Sequence, residues 1–384
     1  MDNKQEKKTN NFIQINLFMS GEQDSIDSID RQILRRYEVM KKIGKGAYGV
    51  VWKVMDKQTQ QVVALKKVFG AFQNLTDAQR TYREITFLRH FTNHPCIVNL
   101  ISCHKAENDT DIYLVFECLE TDVHAVIRAH ILLDVHHRYI FWQLLCSLKF
   151  LHSAGVIHRD LKPSNLLINS DSGIKLCDFG LARAVGTEIS PEELTDYIAT
   201  RWYRAPEILF GSSSYTFAVD LWAAGCILAE LVSGRPLFPG SSTMDQLERI
   251  ISFTGPPSQS AIDSMGSNFT QTMLSNLSYM RPRFQLEEKL QGAPQDAIDL
   301  IKQLISLDPN DRPTAAECLD HPYVAQFHNP EKEKTSDSIV VMSLKENEKH
   351  SIREYRNQVY REAVTPTEAP KRAAKIQKSV ISGH

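Results

Sequence analysis

Gly44-Lys45-Gly46-Ala47-Tyr48-Gly49-Val50 sets three glycines where backbone N–H groups, unobstructed by side chains, can approach an anion. A GxGxxG alone also marks dinucleotide-binding folds, where the glycines join a strand to a helix. Here Val50-Val51-Trp52-Lys53-Val54 follows and reads as a strand, which fits a glycine-rich hairpin folded over phosphates. In the next strand-like run, Val63-Ala64-Leu65-Lys66-Lys67, alternation turns Ala64 and Lys66 to one face and Lys67 to the other. Lys67 is expected to be an ordinary solvated charge. Lys66 needs an anion, and Glu84 in the following helical stretch supplies one, in a pair that positions the lysine more than it stabilises the chain. Three loop-like blocks come later: His158-Arg159-Asp160-Leu161-Lys162-Pro163-Ser164-Asn165, Asp178-Phe179-Gly180 and Ala205-Pro206-Glu207. Each in isolation reads as a loop. In this order and spacing they leave a purely structural reading almost no room.

The elements that must position these residues change along the chain. Residues 1–36 are polar and read as an N-terminal extension, a mobile arm ending in a short helix over Ser28–Arg36. From Tyr37 to Val68 the alternation of Val50, Trp52 and Val54 predicts antiparallel hairpins. Thr76–Phe91 has a helical period, with Tyr82, Ile85, Phe87 and Leu88 on its apolar side, and Ile112–Phe116 is a short apolar strand. Beyond Glu117 the pattern is mainly helical, with an amphipathic helix over His136–His152 and a nearly all-apolar one over Asp220–Leu231. Helices are also predicted over 296–307 and 313–320. Past Pro330 the chain turns charged and reads as a mostly solvated tail with one amphipathic segment, Ser351–Ala363.

Composition narrows the functional classes. Of 384 residues, 42% are apolar and 23% charged, so the chain is neither wholly disordered nor a repeat fibre. Lys plus Arg number 44 and Asp plus Glu 46, a net charge of −2 that gives no electrostatic reason to expect nucleic acid. Seven Cys without a CxxC pair argue against a disulfide framework. No apolar run is long enough to span a membrane, and the N-terminal apolar patch, Phe12–Met19, is too weak for a signal peptide.

Taken together, the glycine loop, Lys66, His158–Asn165, Asp178-Phe179-Gly180 and Ala205-Pro206-Glu207 resemble the signature set of the protein kinases over about Tyr37–Phe327. The resemblance implies an α+β, bilobal kinase fold: a domain over 37–328 with an N-lobe at 37–117, a C-lobe at 118–328 and a C-terminal extension at 329–384. It also implies ATP and Mg²⁺, and phosphoryl transfer to a protein hydroxyl. Because that transition state is loose and highly charged, the work is positioning and charge neutralisation. By resemblance, Asp160 is the base, Lys162 contacts the moving phosphoryl, and Asn165 and Asp178 are oxygen ligands of Mg²⁺. Lys66 and Glu84 complete the catalytic set. Ile43, Gly44, Lys45, Gly46, Ala47, Tyr48, Gly49, Val50, Val51, Ala64, Lys66, Glu117, Leu119, Asp122 and Leu167 are the implied ATP contacts. Phe116 guards a small back pocket, Asp220 ties the catalytic loop, and Arg312 pairs with Glu207.

Thr195-Asp196-Tyr197, followed by Ala199-Thr200-Arg201-Trp202-Tyr203-Arg204-Ala205-Pro206-Glu207, is similar to the activation segment of the mitogen-activated protein kinases; cyclin-dependent kinases lack the Thr-x-Tyr pair. Phe69–Asn74, Thr76–Thr81 and His321–His328 resemble the atypical seven/eight branch of the extracellular-signal-regulated kinases, which usually has Glu where this chain has Asp196. Phosphate on Thr195 is expected to gather Arg83, Arg159 and Arg183, and phosphate on Tyr197 to meet Arg201 and Arg204, since each phosphate adds about −1.5 to −2 charge. The branch implies autophosphorylation. Its relatives favour Ser/Thr-Pro substrates, which makes Ser190-Pro191 and Thr365-Pro366 candidate self-targets. Glu331-Lys332-Glu333-Lys334 is mixed in sign, so weak acidic-patch docking is expected.

The rival class is a silent scaffold that keeps the fold for binding. Retention of Lys66, Asp160, Asn165 and Asp178 argues against it. Expected partners are protein substrates and regulatory phosphatases, acting on a monomer. The resemblance implies a cytoplasmic or nuclear location, and the branch admits a centrosome or ciliary basal body.

Overall fold

In the computed structural model of the chain, residues 29–46, 49–185, 201–212, 216–277, 286–345 and 348–364 are described. Ala47, Tyr48, Ser190, Thr195, Tyr197 and Thr365 lie outside them. The described residues divide into two compact units, one of 30–93, 99–117 and 350–364, the other of 94–98 and 118–349.

In the smaller unit, α1 (Arg31–Arg36) runs directly into β1 (Tyr37–Gly46). With β2 (Gly49–Asp56), β3 (Gln61–Val68), β4 (Leu100–Lys105) and β5 (Ile112–Glu117), it forms an antiparallel sheet in the order β1-β2-β3-β5-β4. Register pairs Val51 with Lys66, and Ala64 with Phe116, so these four share one face; Val50, Lys67 and Tyr113 line up on the other. Gly49 is required here, because a Cβ on it would lie 2.2 Å from the Lys67 carbonyl oxygen. α2 (Leu75–His90) starts where the Asn74 side chain accepts the Asp77 N–H at 2.9 Å, and it buries Tyr82, Ile85, Phe87 and Leu88 as its period predicts. The β4 strand went unread because Ser102 and His104 interrupt its apolar character.

Two expectations fail in this unit. Lys67 is 6% exposed, not solvated, because Asp30 and Asp111 face its ammonium at 3.2 and 3.7 Å. The segment Ile352–Val364 is a helix packed on α2, not part of a solvated tail. The Tyr355 ring lies tilted 5.5 Å from Tyr82 and that of Tyr360 tilted 6.0 Å from Phe72, while Thr86 Oγ1 donates to Glu362 at 2.6 Å. Burial of the Tyr355 and Val359 side chains accounts for the docking.

The larger unit is mainly helical. Its elements are β6 (Thr121–Asp122), α3 (Val123–Arg128), α4 (Asp134–Ser153), β7 (Val156–Ile157), β8 (Leu166–Ile168), β9 (Ile174–Leu176) and β10 (Arg183–Ala184), followed by helices α5 (Pro206–Leu209), α6 (Ala218–Ser233), α7 (Thr243–Thr254), α8 (Gln259–Met265), α9 (Thr270–Ser275), α10 (Leu286–Lys289), α11 (Gln295–Leu304) and α12 (Ala315–Leu319). Every residue of α6 from Val219 to Leu231 is buried, as an apolar run demands. At Gly225 a Cβ would come within 2.8 Å of the Leu304 Cβ, so the glycine lets α11 pack close. Residues 329–345 are also packed: Ser336 N–H donates to Ser153 Oγ at 2.8 Å and Val340 N–H to the Ala154 carbonyl at 2.9 Å. Glu333 is turned inward, accepting from the Trp142 indole at 2.8 Å, while Glu331, Lys332 and Lys334 stay exposed and remain mixed in sign. The α+β reading holds: a five-stranded antiparallel sheet with its helix in one unit, and a larger helical unit.

Candidate active site

The chemistry-bearing residues fall into two sets, one in each unit. In the smaller unit, Lys45 pairs with Val50 and Gly46 with Gly49, which closes the glycine-rich hairpin at the ends of β1 and β2. Ile43 is 44% exposed beside it. Lys66 Nζ donates to Glu84 Oε1 at 2.9 Å, joining β3 to α2, with Glu84 largely buried. Phe116 sits opposite Ala64 on the face that carries Lys66. The Glu117 N–H donates to the Asn99 carbonyl at 3.2 Å, and its carboxylate accepts the Asn99 N–H at 2.7 Å. Arg83, on α2, is 3% exposed.

In the larger unit, the loop between β7 and β8 gathers the polar groups. Asp160 Oδ2 accepts from Lys162 Nζ at 2.8 Å and from Asn165 Nδ2 at 3.0 Å; Asn165 Nδ2 also donates to the Asp160 carbonyl at 2.8 Å. The Asn165 amide nitrogen is thus turned to Asp160, which leaves its oxygen as the acceptor side. Next door, Cys177 is held at both ends: its N–H donates to the Asn165 carbonyl at 3.0 Å and its carbonyl accepts from His158 Nε2, also at 3.0 Å. That fixes Asp178, the next residue, against the loop. Asp178 has φ of 64° and Arg159 φ of 67°, left-handed conformations that cost about 1–3 kcal/mol each and persist only where the surroundings hold them.

Asp220 supplies that hold for Arg159, from α6. Its two oxygens accept the N–H groups of His158 at 2.8 Å and Arg159 at 2.9 Å, and His152 Nε2 meets Oδ2 at 3.0 Å. Burial pushes the carboxyl upward, but the bonds from the His152 ring and the His158 N–H outweigh it, so Asp220 lies below the ordinary carboxylate value. Glu207 takes the Arg312 guanidinium bidentately at 2.7 and 2.9 Å, as expected. Asp122 and Leu167 are register partners across β6 and β8. The Asp122 carboxylate caps α3 by accepting the Ala125 N–H at 2.9 Å, and burial raises its carboxyl. Leu119 precedes β6 and is partly exposed.

The arginines are only partly brought together. Pairing of Arg183 with Ile157 brings β10 beside the strand that leads into Arg159. Arg159 donates to the Leu181 carbonyl and Arg183 to that of Ala182, both at 3.3 Å. Arg201 instead donates to the Ser241 carbonyl at 3.2 Å. Arg159, Asp160, Tyr203 and Arg204 line one small cavity of about 20 Å³. A larger cavity of about 640 Å³, lined by Phe253, Pro257, Lys302 and Asp308 among others, holds none of these residues.

Sequence reasoning missed His152 and the pair Tyr203–Glu230, in which the phenol donates to a carboxylate at 2.6 Å. Glu230 is 2% exposed and burial raises its carboxyl. The available signal was Glu230 itself, one of two acids in the apolar run of α6.

The half-site of the larger unit, a carboxylate tethered by an ammonium and an amide beside a second, conformationally strained acid, defines a phosphoryl-transfer enzyme of the protein kinase class. A family profile described as the protein kinase domain matches residues 37–324. The chain belongs to the protein kinase family. It is 53% identical over 344 residues to "Extracellular signal-regulated kinase 2" of Dictyostelium discoideum, covering 88% of this chain and 93% of that one. It is 48% identical over 336 residues to "Mitogen-activated protein kinase 15" of Xenopus laevis, covering 86% of this chain and 57% of that one. It is 46% identical over 342 residues to "Extracellular signal-regulated kinase 7" of Drosophila melanogaster, covering 87% of this chain but 37% of the relative. These similarities place it among the mitogen-activated serine/threonine kinases, in the atypical seven/eight branch. Such enzymes use ATP with Mg²⁺ and act on proteins. No helix among the described residues is long and apolar enough to cross a membrane.

Proposed function

We propose that the chain moves the terminal phosphoryl of ATP to Ser or Thr hydroxyls followed by Pro, and that phosphate on Thr195 and Tyr197, added by the chain itself, switches it on. The observation that carries the transfer is the Asp160 carboxylate, tethered by Lys162 and Asn165 at 2.8 and 3.0 Å. Held in that position, Asp160 accepts or orients the proton of the substrate hydroxyl. Lys162 offsets charge on the moving phosphoryl group. The donor set fits Mg²⁺: the amide oxygen of Asn165 and the carboxylate of Asp178 are hard oxygen ligands, and both belong to backbone tied together through Cys177. Bound there, the ion would offset the charge of the phosphates. Lys66, oriented by Glu84, would take a phosphate oxygen, and the glycine hairpin would cover the phosphates.

For the switch, the supporting features are the pairing of Arg183 beside the strand leading into Arg159 and the Thr195-x-Tyr197 pattern. Regulatory phosphatases are the matching partners, and the proposed location is cytoplasmic or nuclear, with the centrosome or ciliary basal body as the branch-specific site; a fluorescently tagged chain checks it. The transfer is tested by incubating the chain with ATP, Mg²⁺ and a generic basic protein, alongside Asp160→Asn and Lys66→Met. Equal labelling by all three would show that contaminating activity, and not this site, does the chemistry. Phosphopeptide mapping of the wild type and Asp160→Asn tests the switch: self-activation requires phosphate at Thr195 and Tyr197 in the first and none in the second.

A further inference from the structure

Asp30 lies outside the stretch that matches the kinase family, yet its side chain is bonded into the sheet that carries Lys66. It occupies the N-cap position of α1 but its side chain makes no cap hydrogen bond, although an Asp side chain at that position normally caps its own helix. Its carboxylate instead accepts from Lys67 Nζ at 3.2 Å, from the Tyr113 hydroxyl at 2.9 Å and from the Glu107 N–H. In return the Asp30 N–H donates to the Tyr113 oxygen at 3.0 Å. One side chain therefore ties β3, β5 and the connection between β4 and β5.

Lys67 is the centre of this node. It follows Lys66 on β3 and faces the opposite side of the sheet, between Asp30 and Asp111, with its ammonium 5.0 Å from the centre of the Tyr113 ring. Asp111 also accepts the Gly70 N–H at 2.9 Å, and Thr110 accepts the Phe72 N–H at 2.9 Å. Gly70 and Phe72 lie in the connection from β3 to α2, the helix that presents Glu84. The strand that bears Lys66 and the connection that aims Glu84 are thus bonded to one buried ionic node. Burial opposes the charge on Lys67, but Tyr113 and Asp30 more than offset it and hold the ammonium above its ordinary value.

We propose that Asp30 is a positioning residue of the kinase reaction, acting through Lys67 and Asp111 on the Lys66–Glu84 pair. This rests on the reading of that pair as nucleotide-positioning. The tether should act on ATP affinity and turnover, because misplacing a phosphate-binding group by even 1 Å can cost about a hundredfold.

The test uses the full chain as Asp30→Asn, Asp30→Glu, Lys67→Met and, as a control, Arg36→Ala, whose guanidinium pairs with Asp56 on β2 at 2.7 Å. Each is assayed well below its own melting temperature, for KM of ATP, kcat, and calorimetric affinity for ATP with Mg²⁺. The expected result is a rise of about threefold or more in KM for ATP, with a weakened calorimetric affinity, for Asp30→Asn and Lys67→Met. Asp30→Glu should recover most of it, and Arg36→Ala should melt earlier with unchanged kinetics. If Asp30→Asn melts earlier like the control yet keeps wild-type KM and affinity, the node is structural only and the inference is overturned. Should the wild type itself fail to transfer phosphate, the kinase reading fails separately, and the calorimetric affinities still decide between the two roles of Asp30.

Discussion

His158 Nε2 donates to the carbonyl oxygen of Cys177 at 3.0 Å, while its Nδ1 accepts the Asp160 N–H at 3.3 Å. One fully buried ring thereby spans the loop that carries Asp160 and the residue before Asp178. Replacing His158 by Phe keeps the bulk against Phe179, whose ring lies 5.0 Å away, but removes the hydrogen bond to the Cys177 carbonyl, at about 1 kcal/mol. We expect His158→Phe to lower kcat by about tenfold and to need more Mg²⁺ for half-maximal rate. A magnesium titration of the rate checks it; an unchanged half-saturation point would mean that the ring does not set Asp178.

Asp220→Asn should destabilise by about 3 kcal/mol or more, because a buried carboxylate with three donors loses its charge and one acceptor oxygen. The pH dependence follows from its lowered carboxyl. A depressed folded-state value gives stability that is fully present above the unfolded value, near 3.8, and is lost as pH falls through the folded one. The gap between wild type and Asp220→Asn in urea unfolding should therefore be present at neutral pH and shrink as the pH falls below about 4.

The C-terminal helix covers an apolar face of α2. Tyr355 is 3% exposed and Val359 fully buried, and both are lost from the core if the chain is cut after Lys349. Tyr355→Ala should cost about 3 kcal/mol by opening a cavity beside Tyr82. Calorimetry of the variant reads this directly; a melting temperature equal to wild type would show the helix to be undocked in solution.

Arg312 is fully buried and forked onto Glu207, with further bonds to the carbonyls of Ser306 at 2.8 Å and Ala218 at 3.0 Å. Arg312→Leu should lose about 3–5 kcal/mol by stranding the Glu207 charge. Glu207→Gln, which keeps an acceptor, should lose less. Equal losses in chemical denaturation would mean that the charge sets the cost and that the retained acceptor offsets none of it.

Burial pushes the thiols of Cys96 up to about 11 and of Cys103 and Cys318 up to about 12. At pH 8 only ~0.1% or less of each is thiolate, and burial raises the thiols of Cys146 and Cys226 further still, so all five should alkylate slowly in the folded chain. Mass spectrometry after a short iodoacetamide pulse ranks them; rapid labelling of Cys96 would contradict its burial.

Asp160, Lys162 and Asn165 lie within six consecutive positions, so their convergence follows from local backbone reach and was readable in the sequence. The helix α2 and the hairpins were equally legible, since their periods of 3.6 and 2 are written in Tyr82, Ile85, Phe87 and Leu88 and in Val50, Trp52 and Val54. The role of Asp220, which sits 62 residues from His158, came from family likeness and not from spacing. The partners of Glu230, of Glu333 and of the C-terminal helix had no local signature, because each is brought in from far along the chain.

Residue order alone determined the strand and helix periods, the glycine hairpin and the tethered Asp160, all settled by neighbours a few positions apart. Only the tertiary structure decided that Lys67 is buried and that Asp30 holds it. A charged side chain enters a core when distant groups arrive to satisfy it, and which groups arrive is a property of the packed chain.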